Sequence, residues 1–451
     1  MNRMAALAEI RFGLGLTPGQ PDESDPKGAL KAQLQGPDPG LASEAFANLP
    51  RGIDGIDALR DDAMTRKALL KDGTPLKGNF KPKSRQMFEA DVAAQMGWAA
   101  TTTASFRERL VWFWTNHFTV SIYQGQTAAL VGPMIREAIR PYVTGNFTDM
   151  VLAVEHHPAM LRYLANDVSV GPDSPAGRRS HRGLNENLGR ECMELHTVGL
   201  KAGYHQADVT SMAKILTGWS VAGSDGGGDN TGFKYRPFAH EPGLQTVMGN
   251  TYEGGEQAGI DALTYLSKYP TTYQLIATKL ATHFIADNPP PHTIKRIAYV
   301  LSESGGDLGA ASAALVDLAE AWVPLTKLKT PLEYVISTVR AAPPLPRQPP
   351  VNYIGVSTQL GQPIWGAPLP NGWPDVAANW DGSDAILTRI NWAYGYAARF
   401  EGGTNGLQPA DIAASSLGPL LKPATSTAMA SAGSRREAVT MLLAAPEFQR
   451  R

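Results

Sequence analysis

Residues 184–199 read LNENLGRECMELHTVG, and the spacing of their apolar side chains predicts an amphipathic helix that ends at Gly199. The apolar face of this helix is formed by Leu184, Leu188, Cys192 and Leu195. The polar edge beside that face is formed by Asn187, Arg190, Glu191 and Glu194. Its two carboxylates and its amide fall within about 60° of one another, so they share one side of the helix.

The polar edge has two interpretations, because carboxylates beside a core must be ion-paired, protonated or bound to a metal. Arg190 and Glu191 tie the helix to its neighbours, or Glu191 and Glu194 act as bases or metal ligands. His196 lies about 160° from Glu194 on a regular helix. We therefore expect any histidine of the site to come from another segment.

A second predicted helix, residues 105–118, carries a histidine on its core face. His117 falls on the apolar stripe, and Arg109 and Asn116 share the edge beside it. A single histidine on such a stripe is typical of a satisfied core residue, whereas three polar groups together favour a functional site. His117 is the first choice for the histidine that meets the carboxylates of residues 184–199.

Three further candidates are weaker. His240 and Glu241 lie in a predicted turn, where they are either exposed or part of the site. Lys279 and His283 are four residues apart on a predicted helix, and a solvated edge is the simpler interpretation. Cys192 reads as a small buried hydrophobic residue.

Composition excludes several classes of function. The formal net charge is −1 over 451 residues, so no overall field attracts nucleic acid. A single cysteine excludes internal disulfides and multi-cysteine metal sites. No run of about 18 apolar residues occurs, and the apolar run after Arg3 is too short for a secretion signal. The sequence by itself therefore predicts a cytoplasmic protein without a membrane span.

The helical periods predict a mainly α fold, a multi-helix globular bundle with one small β-hairpin near residues 233–252. In that hairpin, Phe233 and Tyr235 are expected to pair with residues 246–248. Ser105 and Glu108 predict a capping box at the start of the helix of residues 105–118. The expected regions are an irregular N-terminal region with short helices at 1–85, a main helical body at 86–342, a proline-rich spacer at 343–350, and a C-terminal helical lobe packed on the body at 351–451.

Several sequence blocks, in their order along the chain, resemble the bacterial family called domain of unknown function 1800. The blocks are RFGLG at 11–15, WFWTNHF at 112–118, HPAMLRYL at 157–164, GLNENLGRECMELHTVG at 183–199, QADVTSMAKILTGW at 206–219, KLATHFIAD at 279–287 and NGWPD at 371–375. The resemblance covers nearly the whole chain. The chain departs from the family at His205, where a threonine is usual, and at Glu241, where an aspartate is usual.

The resemblance implies a cellular location and a companion protein, but no particular reaction. Members of this family are bacterial proteins, many of them exported, and they are often encoded beside a second family that resembles sulfatases and alkaline phosphatases. It therefore implies a periplasmic or exported location as the alternative to a cytoplasmic one. It also implies a sulfatase-like or phosphatase-like companion protein as a partner.

Three functional hypotheses remain open. The first is an enzyme, a hydrolase or a metal-assisted one with a possible divalent metal, whose site residues are Glu191, Glu194, His117, His240, Arg190 and Asn187. The second is a non-catalytic partner of the companion protein. The third is a carbohydrate-binding or polymer-binding module that uses Trp365, Trp373, Trp380 and Trp392.

Overall fold

The computed structural model describes residues 1–124, 126–180, 183–223, 226–323, 325–345, 348–401 and 408–451. The predicted mainly α fold is confirmed. Its α-helices are α1 (Arg3–Leu7), α2 (Pro26–Ala32), α3 (Glu44–Ala47), α4 (Gly52–Lys71), α5 (Lys83–Thr101), α6 (Ser105–His117), α7 (Val131–Met134), α8 (Phe147–His156), α9 (Pro158–Tyr163), α10 (Pro175–Ser180), α11 (Asn187–Glu191), α12 (Gln206–Ile215), α13 (Glu256–Ser267), α14 (Pro270–Phe284), α15 (Pro291–Glu303), α16 (Leu308–Asp317), α17 (Pro331–Ala341), α18 (Tyr353–Gln359), α19 (Ser383–Ala397), α20 (Pro409–Ser416), α21 (Pro423–Ala430) and α22 (Arg435–Ala444). No helix of the described residues is long and apolar enough to cross a membrane.

The strands of the described residues form two small antiparallel pairs, and two isolated β-bridges lie outside them. The strands are β1 (Trp219–Val221), β2 (Phe233–Tyr235), β3 (Gln245–Val247) and β4 (Asn250–Tyr252). Strands β3 and β4 form the small hairpin expected near residues 233–252, but the predicted partner of Phe233 and Tyr235 was wrong. Strand β2 pairs with β1, with Trp219 opposite Tyr235. Strand β3 pairs with β4 and not with β2, because Met248 and Gly249 close a tight two-residue turn between them. Both residues have the positive φ that such a turn requires.

The helix predicted for residues 184–199 changes its winding halfway. Helix α11 begins at Asn187, and a π-helical turn, Cys192–His196, follows it directly. The extra residue in the turn is held by Thr197, whose Oγ1 donates to the carbonyl oxygen of Cys192 at 2.5 Å. The side chains after Glu191 therefore point in directions around the helix axis that differ from those of a regular α-helix.

The predicted capping box of α6 was wrong. Ala104 is the N-cap residue and makes no side-chain cap. The Ser105 hydroxyl donates instead to Glu9 Oε2 at 2.8 Å, and Glu108 accepts a hydrogen bond from Arg140 at 2.7 Å. Both side chains are used in long-range contacts because the start of α6 is buried.

Two large hydrophobic cores organise the helices. One core packs residues between Ala8 and Ala321, including the apolar faces of α6, α8, α12 and α14. The other joins the N-terminal Ala6, Ile10 and Leu16 to α17 and to residues 356–448. The domain boundaries at 85, 342 and 350 stay a prediction, and residues 346–347 of the expected spacer lie outside the described residues.

A buried ion cluster joins segments that are distant in sequence. Glu333 of α17 pairs with Arg109 of α6 and accepts a hydrogen bond from Arg451 Nε at 3.0 Å. Arg109 also donates to the carbonyl oxygen of Gly13 at 2.6 Å, which ties in the N-terminal loop. Burial would raise the pKa of Glu333, but Arg451 and Arg109 hold it far below its ordinary value. Glu333 is therefore ionised and links the N-terminal loop, α6, α17 and the last residue described.

We predict that Glu333→Gln destabilises the protein by about 3–5 kcal/mol, because it leaves the buried guanidinium group of Arg109 without its counter-ion and leaves Arg451 with Asp375 alone. Urea denaturation at neutral pH measures this loss. The matched control is Asp317→Asn, which removes an exposed ion pair with Lys31 and should change the unfolding midpoint little.

The pH dependence of the same variant provides a second readout. Because the pKa of Glu333 is lowered on folding, its stabilisation is present above the ordinary value of 4.5 and is lost as the pH falls below it. The difference between the wild type and Glu333→Gln should therefore shrink only under acidic conditions. A loss no larger than that of Asp317→Asn would contradict the role given to this cluster.

Candidate functional site

A cleft with a cavity volume of about 320 Å³ opens between α6, α14, the start of α17 and residues 362–375. Its lining includes residues from three of the sequence blocks noted above, at 112–118, 279–287 and 371–375. Cavities of this size accommodate a small ligand or one unit of a larger one. The cleft is therefore the candidate site, and its polar groups decide its chemistry.

The most unusual group in the cleft is a lysine of α14 paired with a histidine of α6. Lys279 Nζ lies 3.0 Å from His117 Nδ1 and 3.4 Å from the carbonyl oxygen of Leu195. Among the described residues, no carboxylate oxygen lies within the ion-pair distance of 4.0 Å from Lys279 Nζ. Burial lowers the pKa of Lys279 to about 8. A lysine in a cleft without a counter-ion is rare as a structural feature and typical of a reactive amine.

His117 is held in its neutral form. Burial lowers the pKa of this imidazole well below its ordinary value, and the nearby Lys279 and His196 lower it further. Its Nε2 lies 3.3 Å from the carbonyl oxygen of His196, to which it can only donate. Nδ1 is then an acceptor, which matches its contact with the amine of Lys279.

A second histidine lines the cleft one helical turn further along α14. His283 Nδ1 donates to Asp375 Oδ2 at 2.5 Å, and Arg451 donates to the other oxygen of Asp375 at 3.1 Å. Burial lowers the pKa of His283 although Asp375 opposes this effect. The Nε2 atom of His283 is buried and has no hydrogen-bond partner among the described residues. With Nδ1 donating to the carboxylate, Nε2 is left as an acceptor.

Tryptophan side chains give the cleft an apolar wall. Trp112, Trp365 and Trp373 line it and are each partly buried. The amide of Asn116 holds the loop of Trp373 by two hydrogen bonds, donating to its carbonyl oxygen at 2.9 Å and accepting from its backbone N–H at 2.8 Å. The side chain of Asn116 thus pairs with the loop as a backbone strand would, and this contact positions the wall.

The site residues predicted within residues 184–199 do not line this cleft. Arg190 pairs within its own segment with Glu186 and Glu194, each at 3.2 Å, and it donates to Gln206 Oε1 of α12 at 2.9 Å. Asn187 is exposed, and burial raises the pKa of the half-buried Glu191. Of the predicted site residues, His117 is the one that the structure brings to the cleft, and a catalytic role for the others stays a prediction.

His240 also lies outside the lining of the cleft. Its Nδ1 bonds the carbonyl oxygen of Thr217 at 2.8 Å, and its Nε2 accepts from the backbone N–H of Gly255 at 2.8 Å. Glu241 pairs with Lys214 at 3.2 Å. The two expected turn residues are buried and connect neighbouring loops.

One interpretation from the sequence was wrong. Lys279 and His283 do not form a solvated edge, because α14 turns them into the cleft, where His283 is only 9% exposed. The separation of His196 from Glu191 and Glu194 stays a prediction, and the π-helical turn brings its Nδ1 instead to 2.6 Å from Glu155 Oε1. The spacing of Lys279 and His283 was a usable signal for the cleft, whereas no spacing marked Glu155.

The family comparison agrees with the sequence blocks. The family model described as protein of unknown function (DUF1800) matches residues 8–450, nearly the whole chain. No curated protein and no solved structure matches the chain. The resemblance drawn from the blocks is therefore confirmed, and the chain belongs to the DUF1800 family.

Proposed function

We propose that this protein is a hydrolase whose catalytic base is Lys279, paired with His117 at the base of the cleft. The observation that carries the proposal is a cleft lysine that hydrogen-bonds a neutral imidazole and has no carboxylate partner among the described residues. A base that titrates near the working pH is the kind of group that general base catalysis requires.

The hydrogen bonds of Lys279 leave its lone pair available. A neutral amine has two N–H groups, and the two acceptors within reach of Nζ are His117 Nδ1 and the carbonyl oxygen of Leu195. With both N–H groups donated, the lone pair points away from both acceptors and can take a proton from water. The water oxygen then attacks the carbonyl carbon of an ester or amide, and the ammonium returns the proton to the leaving group.

The other groups of the cleft favour a substrate with two features. Trp112, Trp365 and Trp373 favour an apolar or ring-shaped portion that packs against indole faces. His283, oriented by Asp375, has an Nε2 without a partner among the described residues, and this atom is covered in the structure, so it accepts from a hydroxyl or N–H group of the substrate only after a side chain beside it moves. The carbohydrate-binding hypothesis shares Trp365 and Trp373 with this wall, whereas its Trp380 and Trp392 do not line the cleft, so a sugar ester uses part of both sets of contacts.

We predict that the amine of Lys279 titrates near pH 8, whereas an exposed lysine titrates near its ordinary value of 10.5. Competitive acylation over a pH series, read by peptide mass spectrometry, measures the protonation of each lysine. Lys295 on the exposed side of α15 is the internal control. Coincident titration of Lys279 and Lys295 would remove the basis for a catalytic amine.

We predict that Lys279→Met lowers kcat/KM on p-nitrophenyl esters about 10²–10⁴-fold, the usual contribution of a general base. The activity of the wild type should rise with pH through about 8 as the amine loses its proton. Lys295→Met is the matched control and should keep full activity. The Tm of Lys279→Met is measured beside its activity, because the variant also removes the hydrogen bonds to His117 Nδ1 and to the carbonyl oxygen of Leu195. Full activity in Lys279→Met, or no turnover by the wild type, contradicts the proposal.

A further inference from the structure

Behind the base of the cleft, three potential metal ligands meet in the protein interior. Glu155 comes from the end of α8, and Cys192 and His196 open and close the π-helical turn. One ligand atom from each lies within 4.8 Å of the others. Their exposures are 0%, 0% and 1%, so the cluster is closed to solvent.

We propose that Glu155, Cys192 and His196 bind a zinc ion. A thiolate, an imidazole and a carboxylate are all ligands that Zn²⁺ takes, and the burial of all three fits an ion that is held permanently in the fold. On binding, the thiol of Cys192 releases its proton and its sulfur coordinates the metal. The site goes beyond the proposed hydrolase, because none of its three side chains lines the cleft.

An orphaned carboxylate oxygen supports the site independently. Glu155 Oε1 meets His196 Nδ1, but Glu155 Oε2 is buried and, apart from the weak thiol donor of Cys192, has no hydrogen-bond partner among the described residues. A buried carboxylate oxygen without a partner is costly, and a cation beside it removes that cost. The two oxygens of one carboxylate lie too close together to fill two corners of a tetrahedron, so the three residues fill three corners and a water molecule that enters with the ion fills the fourth.

The geometry requires only a small opening of the cluster. Zinc bonds of about 2.0 Å in a tetrahedral arrangement separate an oxygen and a nitrogen ligand by about 3.3 Å. Glu155 Oε1 and His196 Nδ1 are now 2.6 Å apart, so they would move apart by less than the width of an atom. The ring of Phe118 packs 5.2 Å from the imidazole of His196 and covers it on that side. A site this enclosed takes up its metal while the chain folds.

The experiment is elemental analysis of the full chain, expressed in zinc-supplemented medium and purified without a histidine tag. The wild type should carry about one zinc per chain, and Cys192→Ala and Glu155→Gln should lose it. Met193→Leu is the matched control, because it changes a buried side chain of the same turn that offers no ligand in the cluster. Lys279→Met should keep its zinc, which separates this site from the proposed catalytic base.

Cobalt provides a second readout that does not depend on a stable glutamate variant. Protein made with cobalt in place of zinc should show thiolate-to-cobalt charge-transfer absorption, and Cys192→Ala should not. Refolding with zinc should raise the Tm of the wild type and leave that of Cys192→Ala unchanged. A metal-free wild type without the cobalt band, or equal zinc content in the wild type and Cys192→Ala, would overturn the proposal.

Discussion

The ion pairs of Glu333 are the interaction on which the cleft depends. Arg109 and Arg451 neutralise this buried carboxylate, and each also holds a backbone carbonyl: Gly13 for Arg109 and His283 for Arg451. Buried ion pairs contribute little net stability compared with apolar packing, but they strongly penalise any arrangement that separates the partners. The cluster therefore favours one relative placement of α6, α14 and α17, and these helices form three sides of the cleft.

The same cluster reaches the chemistry of the cleft through Arg451. This side chain donates to both Glu333 and Asp375, and Asp375 in turn orients the imidazole of His283. Arg451, His283 and Asp375 hold one another although 76 residues separate Arg451 from Asp375 and 168 separate it from His283. Loss of Glu333 would thus disturb the acceptor at His283 as well as the stability of the fold.

Local patterns in the sequence predicted the elements but few of their partners. The apolar stripe of α6 correctly predicted that His117 faces the core, because a helical period depends only on residues a few positions apart. No local spacing marked Asp375 or Glu155 as a partner of a histidine. Asp375 lies 92 residues from His283, and Glu155 lies 41 residues from His196. The capping-box pattern at Ser105 misled for the same reason: long-range partners outcompeted the local cap.

The π-helical turn could not be predicted from the spacing of residues 184–199, yet it connects the interior cluster to the cleft. It directs the His196 side chain toward Glu155 and leaves the His196 carbonyl oxygen facing His117 Nε2. That carbonyl can only accept, so it fixes the proton of His117 on Nε2 and keeps Nδ1 free to accept from Lys279. In a regular α-helix His196 would lie at a different angle, and this chain of contacts from Glu155 to Lys279 would be broken. The irregular turn therefore determines that Nδ1 of His117 accepts the hydrogen bond from Lys279. This hydrogen bond in turn orients the amine of Lys279 in the cleft.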